Sequence, residues 1–203
     1  MSVHLRPRGY GGLHTTVALG VDPGLAHSGF AVVVEASDGT MKVAHTEVAA
    51  TERGDIAAGL RVSDDDNRRL TEIHHVVVRL LCELNPTVVG IETYVPLVNK
   101  GGNGAFKVAI VYGLVQGLAI SANRPVYGFT PQDIRRSLLG TQTGTKQDVQ
   151  VGLRRVITGV DEALERHPRG QREHVADAMG HAYLALEHSR MNRRVKTRYK
   201  ERT

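Results

Sequence analysis

Four side chains in this sequence have the types and placement to share one piece of chemistry. Asp22 closes the apolar run Val17-Ala18-Leu19-Gly20-Val21, and Glu92 closes a second, Val88-Val89-Gly90-Ile91. His174 and Asp177 stand three residues apart at the start of the last long helical pattern, a spacing that puts both on one helix face. Three carboxylates and an imidazole brought to one point repel as anions unless a cation joins them. Hard oxygen donors with one borderline nitrogen suit Mg2+, with Mn2+ as a substitute, better than Zn2+. Two such ions about 4 Å apart activate water and stabilise the leaving oxygen in phosphodiester cleavage.

Taken singly, each residue has a plainer reading. Asp22 precedes Pro23-Gly24 and caps a turn, as Asp often does. Glu92 is a strand-end charge reaching solvent, and His174 and Asp177 begin a helix, where the dipole favours an acid. The joint reading gains because two nearly uninterrupted apolar strands in one small chain both end in acids. His181 and His188 continue the seven-residue spacing from His174. His181 is expected to support the site from behind at most, and His188 to lie on the surface.

The elements that must position these groups follow from periodicity. Strands are predicted over 16–22 and 28–35, forming a hairpin, with a third antiparallel strand over 41–49. Residues 51–62 read as a connection. Asp64-Asp65-Asp66-Asn67 supplies cap and dipole-favoured acids for a helix over 65–84, whose Leu70, Ile73, Val77, Leu80, Leu81 and Leu84 form a core-facing stripe. A strand over 87–91 leads to Glu92, then comes a loop over 93–104 and a helix over 105–122 with small residues at Ala109, Gly113 and Gly117. A strand over 125–129 follows, then a helix over 131–139 with Thr130 as cap and Pro131 at its first position. A helix over 145–157 is basic on one side at Lys146, Arg154 and Arg155. Residues 158–172 read as a polar loop and 174–188 as the last helix. The order implies an α/β fold: a mixed five-stranded sheet, three antiparallel strands and then parallel ones, flanked by helices. Residues 1–15 are a flexible lead-in, 16–188 a single domain, and 189–203 a basic tail.

Composition fits that picture. The chain has 203 residues, 41% hydrophobic and 23% charged, which suits one soluble domain with a substantial core. No apolar run approaches the roughly 20 residues of a membrane helix, and the first residues lack a secretory signal pattern. A lone cysteine, Cys82, excludes an intrachain disulfide and a Cys-rich zinc site, and fits a reducing cytoplasm. From His188 onward seven Lys or Arg face a single acid, Glu201, so the tail carries more than the whole formal charge of +5. A basic tail on a near-neutral body suits a polyanion, nucleic acid first.

Four segments, in order, resemble the RuvC-type Holliday-junction resolvases within the ribonuclease H-like nuclease superfamily. They are G-V-D-P-G at Gly20–Gly24 with Gly29-Phe30, V-G-I-E at Val89–Glu92, G-T-K-Q-D-V-Q at Gly144–Gln150, and H-V-A-D-A at His174–Ala178. The likeness covers residues 16–188 and implies a ribonuclease H-like fold and a homodimer that nicks four-way DNA junctions with Mg2+. It implies that Asp22, Glu92 and Asp177 bind metal, with His174 at a position that is aspartate or histidine among members. Lys146 matches an active-site lysine on the scissile-strand phosphate, and Arg135 a second basic position that is often lysine. The 93–104 loop, with Tyr94 and Lys100, matches the segment that enters the junction centre, where Tyr94 could stack on a base. Arg154 and the tail are further expected DNA contacts. The site of action is the cytoplasm, at the nucleoid, or a host cytoplasm if the chain is viral. Alternatives are a related nuclease on flap, fork or RNA–DNA hybrid substrates, and a DNA-binding module without catalysis. An ATP-binding protein of the actin or sugar-kinase type is remote, because Leu25-Ala26-His27-Ser28 replaces that family's phosphate-holding residues and no second Gly-rich loop follows.

Overall fold

The computed structural model describes residues 16–55, 59–93 and 103–200, backbone only at 103 and 193–200. Three strands come first, β1 (Thr16–Asp22), β2 (His27–Glu35) and β3 (Met41–Ala50), followed by α1 (Val62–Glu83) and β4 (Val88–Glu92). Next are α2 (Asn103–Ser121), β5 (Val126–Phe129), α3 (Pro131–Leu139), α4 (Lys146–Val156), α5 (Val160–Glu165) and α6 (Arg172–Lys200). The sheet order is β3-β2-β1-β4-β5, with β1 antiparallel to β2 and parallel to β4, and β4 parallel to β5. The five-stranded mixed sheet is therefore as the sequence implies.

Alternation along the strands builds two cores, one on each face. Val17, Leu19 and Val21 of β1 join Phe30, Val89 and Ile91 beneath α1 and α2, where the stripe Ile73, Val77, Leu80 and Leu81 is buried. Each such side chain contributes about 1.5–3 kcal/mol by leaving water. Ala18, Ala31, Val33 and Val88 face the other way, beneath α6 and α4–α5. On that side the sheet presents glycine. A Cβ at Gly20, Gly29 or Gly90 would run into the backbone carbonyl of Ala178, His174 or His181 respectively. The three glycines let α6 lie directly on β2, β1 and β4, which sets the height of its donors above the strand ends.

Capping fixes α3 and α4. Thr130 Oγ1 accepts the Asp133 amide at 3.3 Å while the Asp133 carboxylate accepts the Thr130 amide at 2.8 Å; Thr145 and Asp148 repeat the pair at 3.2 and 2.8 Å.

Five details differ from the sequence reading. The acid cluster does not cap α1, whose cap residue is Arg61; instead Asp65 is buried, accepting from the Gly54 amide at 3.0 Å and from Arg68 at 2.8 Å. The polar loop over 158–172 contains α5 and a short 3-10 turn, Arg169–Gln171. Val160, Ala163 and Leu164 are buried at spacings of three and four, a pattern too short to stand out against its charged neighbours. The last helix runs on to Lys200, and Arg190 is tied into the body by Glu35, Glu187 and the Gly39 carbonyl. His188 is half-buried against Tyr127, with ring centroids 4.4 Å apart, and near Phe129. Finally, among the described residues one helix, Gly104–Ser121, is long and apolar enough by composition to cross a membrane. Val111, Val115 and Ala119 on its inner side are buried in the core, while its outer side is exposed at Phe106 and Ile120.

Candidate active site

Parallel β1 and β4 end side by side, with Gly20 opposite Gly90 and Val21 opposite Ile91, so Asp22 and Glu92 emerge at the same edge. Their carboxyl ends are where open α/β sheets place ligands. From α6, His174 Nδ1 meets Asp22 Oδ2 at 2.7 Å. His181 Nε2 stands 3.7 Å from Glu92 Oε2, too far for a hydrogen bond. Asp177, between the two histidines in α6, is close enough to both carboxylates to feel their negative charge.

The electrostatics show a site short of positive charge. Burial pushes the Asp177 carboxyl up to about 6, and the negative charge of Asp22 adds to it, with Lys146 opposing. Burial also raises Asp22, against the bond from His174. His174 is raised chiefly by its bond to Asp22, against burial. Burial works to raise Glu92, but His181, a bond with Asp22 and the charge of Lys146 hold it below the usual range. Two carboxyls reluctant to ionise beside a third that is ionised form a donor set that a divalent cation would relieve. Among the described residues no three His, Cys, Asp or Glu side chains form a ready-made metal cage; His174 is bonded to Asp22, and His181 stands beside Glu92. In donor chemistry the residues fit a divalent cation.

Beside the carboxylates lies a cavity of about 150 Å³ lined by Glu92, Asp177, His181, Arg135 and Lys146. Lys146, first residue of α4, forms an ion pair with Glu173, and both are exposed. The guanidinium Nε of Arg135 is buried with no hydrogen-bond partner among the described residues. On the opposite flank His27 stacks on His174, rings 5.5 Å apart and 10° from parallel, over a second cavity that Arg69 and Lys107 also line.

The structure thus brings together Asp22, Glu92, His174 and Asp177, and places Lys146 and Arg135 beside them. It does not bring Arg154 to this cavity; its Nε is held by Asp161 at 2.7 Å. Tyr94 and Lys100 lie outside the described residues. Sequence reasoning put His181 behind the site at most, and the structure has it fully buried beside Glu92; His27 and Glu173 were not singled out. The i, i+4 spacing of Asp177 and His181 was the available signal for the first. Nothing in the sequence marked His27, whose ring is placed by the turn joining β1 to β2.

Comparison with known proteins bears on this arrangement. The family model described as crossover junction endodeoxyribonuclease RuvC matches residues 18–188. The crossover junction endodeoxyribonuclease RuvC of Thermus thermophilus is 30% identical over 175 residues, 85% of this chain and 93% of its own. That of Hyphomonas neptunium is 27% identical over 170 residues, 84% of this chain and 90% of its own. The structure of T. thermophilus RuvC in complex with Holliday junction substrate superposes with a TM-score of 0.68 at 27% identity, covering 87% of this chain and 96% of that one. A yeast mitochondrial Holliday junction resolvase shares the fold, with a TM-score of 0.54 at 16% identity over 81% of this chain and 75% of that one.

Proposed function

The chain belongs to the RuvC family of crossover junction endodeoxyribonucleases, and on that premise we propose that it resolves four-way DNA junctions by divalent-metal-dependent hydrolysis. The observation that carries the reading is the convergence of Asp22, Glu92, His174 and Asp177 at the ends of β1 and β4. These four would hold the metal, Mg2+ with Mn2+ as a substitute and two ions in number. Bound there, divalent ions supply Lewis acidity at the scissile phosphate and lower the pKa of water toward neutrality.

The chain's own residues do the rest. Asp22 accepts from His174 Nδ1 and so fixes the orientation of the ring. Lys146 and Arg135 present positive charge to a phosphate oxygen beside Glu92 and Asp177. Arriving phosphate competes with Glu173 for Lys146, so that exposed pair is a contact to be exchanged rather than a structural bond. Pro23-Gly24 keeps the turn after Asp22 small, which lets a backbone approach. The exposed apolar side of α2, with Phe106 at 68% and Ile120 at 59% exposure, supports a homodimer. Two sites related by a two-fold axis suit a junction whose resolution takes paired cuts. The reaction takes place on cytoplasmic DNA.

The test offers the purified protein labelled four-way junction, flap, linear duplex and RNA–DNA hybrid, with Mg2+ or EDTA. Symmetric paired nicks in the junction are expected, lost with EDTA and reduced by roughly a hundredfold or more in Asp22→Asn, since even outer partners of a metal are worth about 10–100-fold. Equal cutting of linear duplex would sink junction selectivity, and cutting by Asp22→Asn at the wild-type rate would sink the site.

A further inference from the structure

Each strand-end carboxylate is faced by an imidazole of the same helix: Asp22 by His174 at 2.7 Å and Glu92 by His181 at 3.7 Å. The two histidines are not equivalent. His174 is partly exposed, bonded to Asp22 and stacked on His27. The His181 side chain is 0% exposed, and neither ring nitrogen has a hydrogen-bond partner among the described residues. An unpaired buried polar atom costs about 1–3 kcal/mol, and an apolar side chain of that size would fill the space without the cost. A neutral imidazole keeps one nitrogen with a free lone pair. That ring lines the cavity of about 150 Å³ together with Glu92 and Asp177. Ligands roughly 2.1 Å from one ion stand about 3–4 Å apart at ordinary coordination angles, a range that includes the 3.7 Å between His181 Nε2 and Glu92 Oε2. The cavity wall from β4 and α6 carries these donors, whereas Arg135 and Lys146 come from α3 and α4, leaving separate walls for cation and phosphate.

We propose that His181 is a nitrogen ligand to a divalent ion shared with Glu92 and Asp177, and that it biases this position toward a first-row transition ion over Mg2+. The inference rests on the metal-ion reading of the carboxylates and adds to it a donor and a selectivity: Mg2+ still serves the position, but binds less well relative to Mn2+ than it would to oxygen donors alone. Mg2+ prefers oxygen and gives up its water reluctantly, so an imidazole in the ligand set penalises it relative to an ion that accepts nitrogen. Each carboxylate would then be partnered by one imidazole, with Asp177 common to both.

Mn2+ bound to the full chain, in the absence of DNA, reports its ligands by pulsed electron paramagnetic resonance. Nitrogen coupling from two imidazoles is expected in the wild type and from one in His181→Gln. In His174→Asp the coupling should persist, and in the double variant it should vanish while Mn2+ still binds. In competition titrations, the preference for Mn2+ over Mg2+ should fall at least about tenfold in His181→Gln, the lower end of what even an outer partner is worth. Loss of all nitrogen coupling in His174→Asp with Mn2+ still bound overturns the proposal and leaves the carboxylate site standing. Failure of the wild type to bind Mn2+ overturns both readings. Should His174→Asp not fold by circular dichroism, the comparison of wild type with His181→Gln decides: an unchanged nitrogen count and an unchanged ion preference reject His181 as a ligand.

Discussion

The two faces of the sheet are covered in opposite ways. On one, α1 and α2 rest on Leu19, Val21, Phe30 and Ile91, large side chains that hold the helices away from the strands. On the other, Gly20, Gly29 and Gly90 bring the backbone of α6 into contact with the sheet. The glycine face has no room to shift, and it is the face whose helix carries His174, Asp177 and His181. The aliphatic face is as well buried at its centre, but α2 leaves Phe106 and Ile120 in solvent. Close packing goes where donors must be held to a fraction of an ångström; spare apolar surface goes where a second chain can cover it.

The sharpest way to break this contrast is to give the glycine face a side chain. Gly90→Val would press on the His181 carbonyl. It should cost about 3 kcal/mol or more, beyond ordinary overpacking of about 1–3 kcal/mol, because backbone rather than a side chain blocks the way. Chemical denaturation checks this, with Ile91→Val on the aliphatic face as the contrast, expected at about 0.5–1.5 kcal/mol.

Asp177 tests the charge held on the glycine face. Its folded pKa near 6 lies above its ordinary 3.8, so the native state holds the extra proton between these values. Stability therefore falls as pH rises from about 4 to about 6, by up to about 3 kcal/mol, and stays lower above that window. In EDTA, Asp177→Asn should raise the melting temperature at pH 7.5 and leave it nearly unchanged at pH 4. An equal shift at both pH values would assign the effect to packing instead of charge.

On the other face, Ile120→Asp should leave stability within about 0.5 kcal/mol, since the position is exposed, yet weaken dimerisation. Sedimentation at micromolar concentration reads this, and an unchanged dimer would remove α2 from the interface. The smallest effect belongs to the end of α6. Truncation after Arg190 keeps the ties to Glu35 and Gly39 but removes six Lys or Arg. Junction affinity should weaken uniformly across sequences, with the salt slope reduced by about one for each lost phosphate contact. An unchanged slope would deny the extension any DNA role.

Much of this was legible in order of residues. Buried parallel strands are continuous apolar runs, so the carboxylates that end them stand out, and Thr130-Pro131 and Thr145 announce their helices through local capping chemistry. Contacts between distant segments were not legible. His188 looked like surface until β5 put Tyr127 beneath its ring, and the ion pair of Arg154 with Asp161 needed α5, which the sequence reading took for loop. The full burial of His181 was not legible either, because it depends on α6 lying against Gly90, far away in sequence.

By itself, the sequence determined the layer architecture, the strand-end acids and the His174–Asp177 pair on one helical face, because period and propensity act over a few residues. Only the tertiary structure decided which imidazole meets which carboxylate, and which cations line the cavity. Those outcomes depend on how closely α6 approaches the sheet, and that distance is set by glycines in three separate strands.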